Sequence, residues 1–109
     1  LINIDYIRSM EMHTVFGALS DRNRFNMVTM LGKKPLSVDE IKSELGISQS
    51  STSQHLKVLY QVGLVTFSKK GNFRIYTLRK NELQKAMHFF DHLWDEGLDR
   101  LKSKLESKK

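Results

Sequence analysis

The residues best suited to do chemistry lie between positions 51 and 80, where all of the surplus positive charge is found. The 109-residue chain has 18 basic and 12 acidic side chains, a formal net charge of +6. This segment has no acid, and its basic residues are Lys57, Lys69, Lys70, Arg74, Arg79 and Lys80. Each phosphate that a Lys or Arg neutralises releases condensed counterions, so a local positive field favours a polyanionic partner. A solvated basic face that only aids solubility is the alternative.

A polar stretch at residues 48–53 leads directly into apolar residues at helical spacing. If Thr52, Leu56 and Leu59 face a core, a helix over 48–62 directs polar side chains outward. The outward side chains are Gln49, Ser50, Ser53, Gln54 and Lys57, and Ser48, the plausible N-cap of this helix, joins them as a candidate DNA contact. Gln can bond adenine N6 and N7 together, Ser allows close approach of the backbone, and Lys can neutralise a phosphate. The pattern predicts a DNA-reading helix. A flexible polar loop is the alternative, because Ser and Thr are mediocre helix formers.

A β-hairpin is predicted over residues 64–78. Two β-branched and aromatic runs, Leu64 to Lys69 and Phe73 to Leu78, flank a turn at Lys70-Gly71-Asn72, where Gly and Asn tolerate a positive φ. The side chains expected at its tip are Lys69, Lys70, Asn72 and Arg74. They could straddle a DNA minor groove or its phosphates. Lysines that protect an exposed strand edge from aggregation are the alternative.

The remaining elements are predicted helices at about 4–19, 20–31, 37–45 and 81–105. Ser20 is a plausible N-cap, and Phe25, Met27, Val28 and Leu31 form the apolar stripe that follows it. Ser37-Val38-Asp39-Glu40 has the form of a capping box. We therefore expect a single domain over 1–109, mainly α with a small β-hairpin. About five helices and a two-stranded wing make this a winged helix-turn-helix.

At these residues the sequence resembles the ArsR/SmtB family of winged-helix transcriptional repressors. The strongest stretch runs from Leu45 to Leu59, and Phe16 to Asp21 with Arg24 resembles the family's entry to its second helix. Arg22 departs from the family, which usually has Pro there. The resemblance implies a homodimeric DNA-binding repressor with its first and last helices at the dimer interface, including Ile7 and Met10 of the first helix.

The last helix carries a long apolar stripe with further apolar residues beside it. The residues expected at the dimer interface are Leu83, Met87, Phe90, Trp94, Leu98 and Leu101. Ala86, Phe89 and Leu93 lie next to them, and two apolar faces on one helix need two partners. One face packing on its own domain and one on a symmetry mate is the economical solution. A pocket for a hydrophobic inducer, lined by Phe89, Phe90 and Trp94, is the alternative.

No metal or other cofactor is expected. The chain has no Cys, and Lys80 stands where the family's last-helix metal site has an Asp. An improvised site of His88, His92 and either Asp95 or Glu96 is conceivable, because imidazole with carboxylate suits zinc or nickel, but two His on a solvated helix face are the favoured interpretation. His55 is expected either to pack at the edge of the helix-turn-helix or to reach a DNA phosphate.

The sequence shows none of the catalytic motifs that we considered, so no enzyme is expected. It also has no apolar run long enough to span a membrane and no signal-peptide pattern, which leads us to expect a cytoplasmic protein. The predicted function is a homodimeric repressor that occludes a promoter by reading a palindromic operator in double-stranded DNA. A winged-helix module whose basic wing contacts an acidic protein is the alternative. A small molecule or a protein could act as an effector of this regulator, and the sequence does not identify one.

Overall fold

The computed structural model describes residues 14–107, so Ile7 and Met10 lie outside the described residues. Helix α1 is described over 14–19. The other elements are α2 (Arg22–Leu31), β1 (Leu36–Ser37), α3 (Val38–Leu45), α4 (Gln49–Gln61), β2 (Val65–Lys70), β3 (Phe73–Leu78) and α5 (Lys80–Ser107). The expected fold, a mainly α winged helix-turn-helix, is confirmed. Of the helices within 14–107, none combines the length and apolar character needed to cross a membrane.

Side-chain caps set the starts of the three short helices. Ser37 and Glu40 form the predicted capping box of α3, and the Ser37 N–H and hydroxyl lower the pKa of the Glu40 carboxyl. Ser48 caps α4 by accepting the Ser51 N–H at 3.1 Å. The predicted cap of α2 was wrong by one residue, because Asp21 accepts the Arg24 N–H at 3.0 Å. Ser20 instead donates its hydroxyl to the Gly17 carbonyl at 2.6 Å.

The sheet has three antiparallel strands in the order β1-β3-β2, one more than the sequence predicted. Strand β1 pairs Leu36 with Tyr76 of β3. Strands β2 and β3 form the predicted hairpin, which we call the wing (residues 65–78). Its turn has a positive φ of 61° at Gly71 and none at Asn72, as in a type II′ turn with Gly at the first central position.

The core lies between the helices and the inner face of the sheet. Its fully buried members include Met27, Ile41, Leu56, Leu59 and Leu64. The buried Thr52 keeps its hydroxyl satisfied by donating to the Ser48 carbonyl at 2.8 Å. The packing of α4 on this core fixes which of its side chains face outward.

Phe25 does not join the apolar stripe of α2, because its side chain is 57% exposed. Met27, Val28 and Leu31 are buried as predicted. Two residues correspond to about 200° of helix rotation, so Phe25 lies nearly opposite Met27. The expectation for Phe25 was therefore wrong in its helical phase.

Candidate nucleic-acid interface

From its start to Lys57, one side of α4 is exposed and polar. Thr52, Leu56 and Leu59 are buried on the opposite side. The exposed residues, which we call the reading face, are Ser48, Gln49, Ser50, Ser53, Gln54 and Lys57. No acidic residue lies in the first turn of α4, so its free N–H groups and helix dipole favour an anion there. The structure thus brings six of the predicted contact residues together, five on α4 and one at its N-cap.

His55 lies on a different side of α4 from the reading face. Its side chain is 18% exposed, and its Nδ1 lies 3.3 Å from Arg24 Nη1 and 3.8 Å from Asp21 Oδ2. Arg24 also donates from Nε to the Ala18 carbonyl at 2.6 Å. Of the two expectations for His55, these contacts fit packing at the edge of the helix-turn-helix. Arg24 thereby connects α4 to the end of α1.

Asp21 completes this network. The backbone N–H of Arg24 lowers the pKa of the Asp21 carboxyl, and although burial opposes the shift, the charges of His55 and Arg24 lower the pKa further. The carboxylate therefore stays ionised at neutral pH. It caps α2 and also faces His55. The Asp21 carboxylate thus lies between the start of α2 and the middle of α4.

The wing places its basic side chains on two faces. Lys69 lies directly opposite Arg74, and Lys70 lies opposite Phe73, so the two pairs alternate between faces of the sheet. All four side chains are exposed, as is Asn72 in the turn. Like charges directly opposite each other destabilise a strand pair. Within residues 14–107, neither Lys69 nor Arg74 makes an ion pair that would offset this.

Arg74 is held in place by an aromatic ring. Its guanidinium carbon lies 4.6 Å from the centre of the Phe67 ring, on the face of the wing that is turned toward α4. Phe67 in turn lies 5.5 Å from Tyr60 of α4 and 5.3 Å from Tyr76 of β3, measured between ring centres. A guanidinium stacked on a ring is attracted by the negative π face and loses less freedom on binding.

A groove of about 770 Å³ separates α4 from the wing. Gln49, Ser53, Lys57 and Tyr60 line its α4 side, at spacings that place them on one helix face. The wing side and the start of α3 contribute Phe67, Asn72, Phe73, Arg74, Tyr76, Ser37, Val38 and Asp39. Sequence reasoning missed Tyr60 and Phe73, which are 51% and 60% exposed. The spacing of Tyr60 from Ser53 and Lys57 was a signal that could have found it.

The apolar stripe of α5 divides into a packed start and an exposed remainder. Ala86 is fully buried and Leu83 packs against the core of its own chain. The exposed residues, which we call the α5 face, are Met87, Phe90, Leu93, Trp94, Leu98, Leu101 and Leu105. Phe90 contacts Phe16 of α1 edge to face at 5.9 Å and stacks on Trp94 at 6.3 Å. Leu83 thus differs from the other predicted interface residues, since its own core already covers part of it.

The improvised metal site is not assembled in the described part of the chain. His92 Nε2 lies 3.2 Å from Glu96 Oε1, one turn along α5. Between residues 14 and 107, no three His, Asp or Glu side chains are grouped so that they could hold a metal ion. His88 and Asp95 therefore do not join His92 as ligands in this structure.

Comparisons with known proteins agree with this architecture. The sequence pattern of the family described as "Bacterial regulatory protein, arsR family" matches residues 21–66. The chain is 35% identical to the transcriptional activator HlyU of Vibrio cholerae over 77 residues, 71% of each chain. It is 29% identical to the transcriptional repressor SdpR of Bacillus subtilis over 86 residues, 79% of this chain and 96% of SdpR.

A solved structure gives the same result. The ArsR-like transcriptional regulator from Rhodococcus sp. RHA1 superposes with a TM-score of 0.79 at 30% identity, covering 88% of this chain and 91% of that one. Together with the helix-turn-helix and wing described above, these similarities identify the chain as a member of the ArsR family and a DNA-binding transcriptional regulator.

Proposed function

We propose that the protein is a homodimeric repressor that occludes a promoter by reading a palindromic operator. The observation that carries this proposal is the reading face, a set of exposed hydrogen-bonding side chains on a packed helix beside an acid-free basic wing. A major groove admits an α-helix, and sequence is read there by side chains that bond to base edges.

The reading face divides into two kinds of contact. Gln49 and Gln54 have the bidentate amide chemistry that suits adenine, and Ser50 and Ser53 let the backbone approach closely. Ser48 and Lys57 suit phosphates, as do Lys69, Lys70, Asn72 and Arg74 on the wing. His55 is directed toward Arg24 and Asp21, so we assign it to positioning α4 instead of contacting DNA.

The α5 face supplies the dimer in this proposal. Its members are 45–61% exposed. A contiguous apolar helix face is typical of a surface that another subunit covers. A second copy related by a two-fold axis covers it with the same residues and places two α4 helices about 34–36 Å apart, one turn of DNA. Palindromic half-sites follow from that symmetry.

Repression is supported by the relative SdpR, which is named a repressor and aligns over 96% of its own length. HlyU is named an activator, so the direction of regulation needs its own assay. In vitro transcription from the protein's own promoter is expected to fall as protein is added. A rise would instead make the protein an activator.

The experiment that tests DNA reading is fluorescence anisotropy with a duplex from upstream of its own coding sequence and a scrambled duplex of the same composition. We expect tight binding of two protomers to the first duplex and weak binding to the second. Runs with zinc and with EDTA are expected to agree, and release by zinc alone would reinstate His88 and His92 as ligands. Equal weak binding to both duplexes would contradict operator reading and favour the protein-contact alternative.

A further inference from the structure

The imidazole of His55 lies between a guanidinium and a carboxylate. Its Nδ1 is 3.3 Å from Arg24 Nη1 and 3.8 Å from Asp21 Oδ2. A guanidinium only donates hydrogen bonds, so Nδ1 has to accept the bond from Arg24. The arrangement therefore belongs to a neutral imidazole whose proton is on Nε2. Asp21 Oδ2 faces a nitrogen that has no proton to give it.

A proton on Nδ1 exchanges these partners. The imidazolium repels the guanidinium, and Arg24 Nη1 loses its acceptor, while Asp21 Oδ2 gains a charged donor. Hydrogen bonds of this charged kind span about 2.7–2.9 Å. Nδ1 and Oδ2 must therefore approach each other by about 1 Å from their distance of 3.8 Å. Among the described residues, the charged side chains in contact with His55 are Asp21 and Arg24, so the exchange involves these three groups.

The exchange changes which elements are connected to α4. In the arrangement observed, His55 contacts Arg24, whose Nε donates to the Ala18 carbonyl at the end of α1. After the exchange, His55 bonds instead to Asp21, whose Oδ2 also accepts the Arg24 N–H at the start of α2. Side chains that recognise a partner have to be held to within about 0.5 Å. A displacement of about 1 Å in the middle of α4 is large enough to disturb the reading face.

We propose that His55 is a proton-sensitive switch of DNA reading. Neutral His55, bonded to Arg24, holds α4 in the reading position, and protonated His55, bonded to Asp21, makes the protein less selective for its operator. This inference rests on the proposed function, because it assumes that α4 reads DNA. Histidine ordinarily changes charge between pH 5 and 8. The Asp21 carboxylate keeps its charge over that range, because its N–H contact with Arg24 lowers its pKa.

The switch is tested by fluorescence anisotropy with operator and scrambled duplex between about pH 8 and about pH 5.5. The ratio of the two affinities is expected to fall about two- to tenfold toward acid in the wild type, the effect of about one lost hydrogen bond. His55→Gln keeps an acceptor for Arg24 but does not titrate, so its ratio is expected to stay constant. His88→Gln removes an exposed histidine of α5 and is expected to keep the wild-type pH dependence. Unfolding midpoints at both ends of the range check that each protein stays folded.

NMR of the 15N-labelled imidazole follows the exchange without DNA. At the alkaline end, the ring proton is expected on Nε2 alone. The midpoint of the His55 titration is expected to move to lower pH in Asp21→Asn, which removes the charge that stabilises the imidazolium, and to higher pH in Arg24→Gln, which removes the charge that opposes it. Shifts in the other directions would overturn the exchange of partners.

The outcomes separate this switch from the proposed function. A wild-type ratio that stays constant over the pH range, or one that falls equally in His55→Gln, would overturn the switch and leave operator reading intact. Failure to prefer the operator at any pH would overturn the proposed function, and with it the control of DNA reading by His55.

Discussion

The reading face and the α5 face are both exposed, but they differ in how they are built. The reading face is polar and belongs to a 13-residue helix whose opposite side is fully buried at Thr52, Leu56 and Leu59. The α5 face is apolar and belongs to a 28-residue helix whose only fully buried residue in the described part is Ala86. The first face is held rigid by its own domain, whereas the second needs another subunit to cover it.

The two surfaces of this small domain therefore respond to different solution conditions. Phosphate binding by Lys and Arg weakens as salt rises, because fewer counterions are released. Burial of apolar side chains is not weakened by screening. We therefore expect rising salt to dissociate the protein from DNA while leaving the dimer intact.

The largest effect is expected where the reading face is anchored. Leu56→Ala removes a fully buried side chain from α4 and should lower the free energy of unfolding by about 2–5 kcal/mol, measured by denaturant titration. Lys57→Ala, one residue along, is the control and should change stability by less than about 0.5 kcal/mol. Similar losses in the two variants would contradict the assignment of buried and exposed sides of α4.

The next largest effect is expected on the α5 face. Trp94 is 59% exposed in one chain, and Trp94→Ala should weaken the dimer by about 2–4 kcal/mol, measured by sedimentation equilibrium. His88→Ala, at another exposed position of α5, should leave the dimer unchanged. A monomeric wild type, or a dimer that tolerates Trp94→Ala fully, would show that the α5 face serves another purpose.

The network of Asp21, Arg24 and His55, which connects α4 to α2 and to the end of α1, is predicted to respond to acid. The pKa of Asp21 is lowered in the folded protein, so its contribution to stability is present at neutral pH and is lost as the pH falls through the lowered pKa, below about pH 4. Asp21→Asn keeps a good N-cap but does not titrate. The wild type should therefore be more stable than Asp21→Asn at pH 7, and the difference should shrink toward pH 3. A difference that is constant across this range would contradict the role of the charge.

The smallest effect is expected from a single wing lysine. Lys70→Ala should weaken binding to operator and scrambled duplex alike and reduce the slope of log affinity against log salt by about 0.9 for one lost phosphate contact. Lys33→Ala is the control, since Lys33 is exposed after α2 and does not lie on the wing. An unchanged slope for Lys70→Ala would remove Lys70 from the DNA contact.

Local signals explain what could be predicted from the sequence. The bounds of α4, its cap at Ser48, the capping box at Ser37 and the hairpin around Gly71 all depend on residues within a few positions of one another. The exposure of the reading face followed from the spacing of Thr52, Leu56 and Leu59, because their burial fixes the rotation of the helix.

The features that were missed depend on contacts between distant segments. Strand β1 is two residues long, too short for a pattern, and exists because β3 pairs with it. The choice of Asp21 over Ser20 as cap depends on where α2 begins, and both residue types cap well. Leu83 packs on its own core because the first turns of α5 lie against it. The groove holding Tyr60 and Phe73 exists only once the wing folds beside α4.

Gln54→Ala tests whether α4 reads base sequence, with DNA binding measured by fluorescence anisotropy. We expect the substitution to weaken binding to the operator by about 1–3 kcal/mol and to leave binding to scrambled duplex unchanged, because a lost amide contact to a base matters only where that base is present. Equal affinity of wild type and Gln54→Ala for the operator, or an equal loss on both duplexes, would contradict the claim that this residue of the reading face reads the sequence.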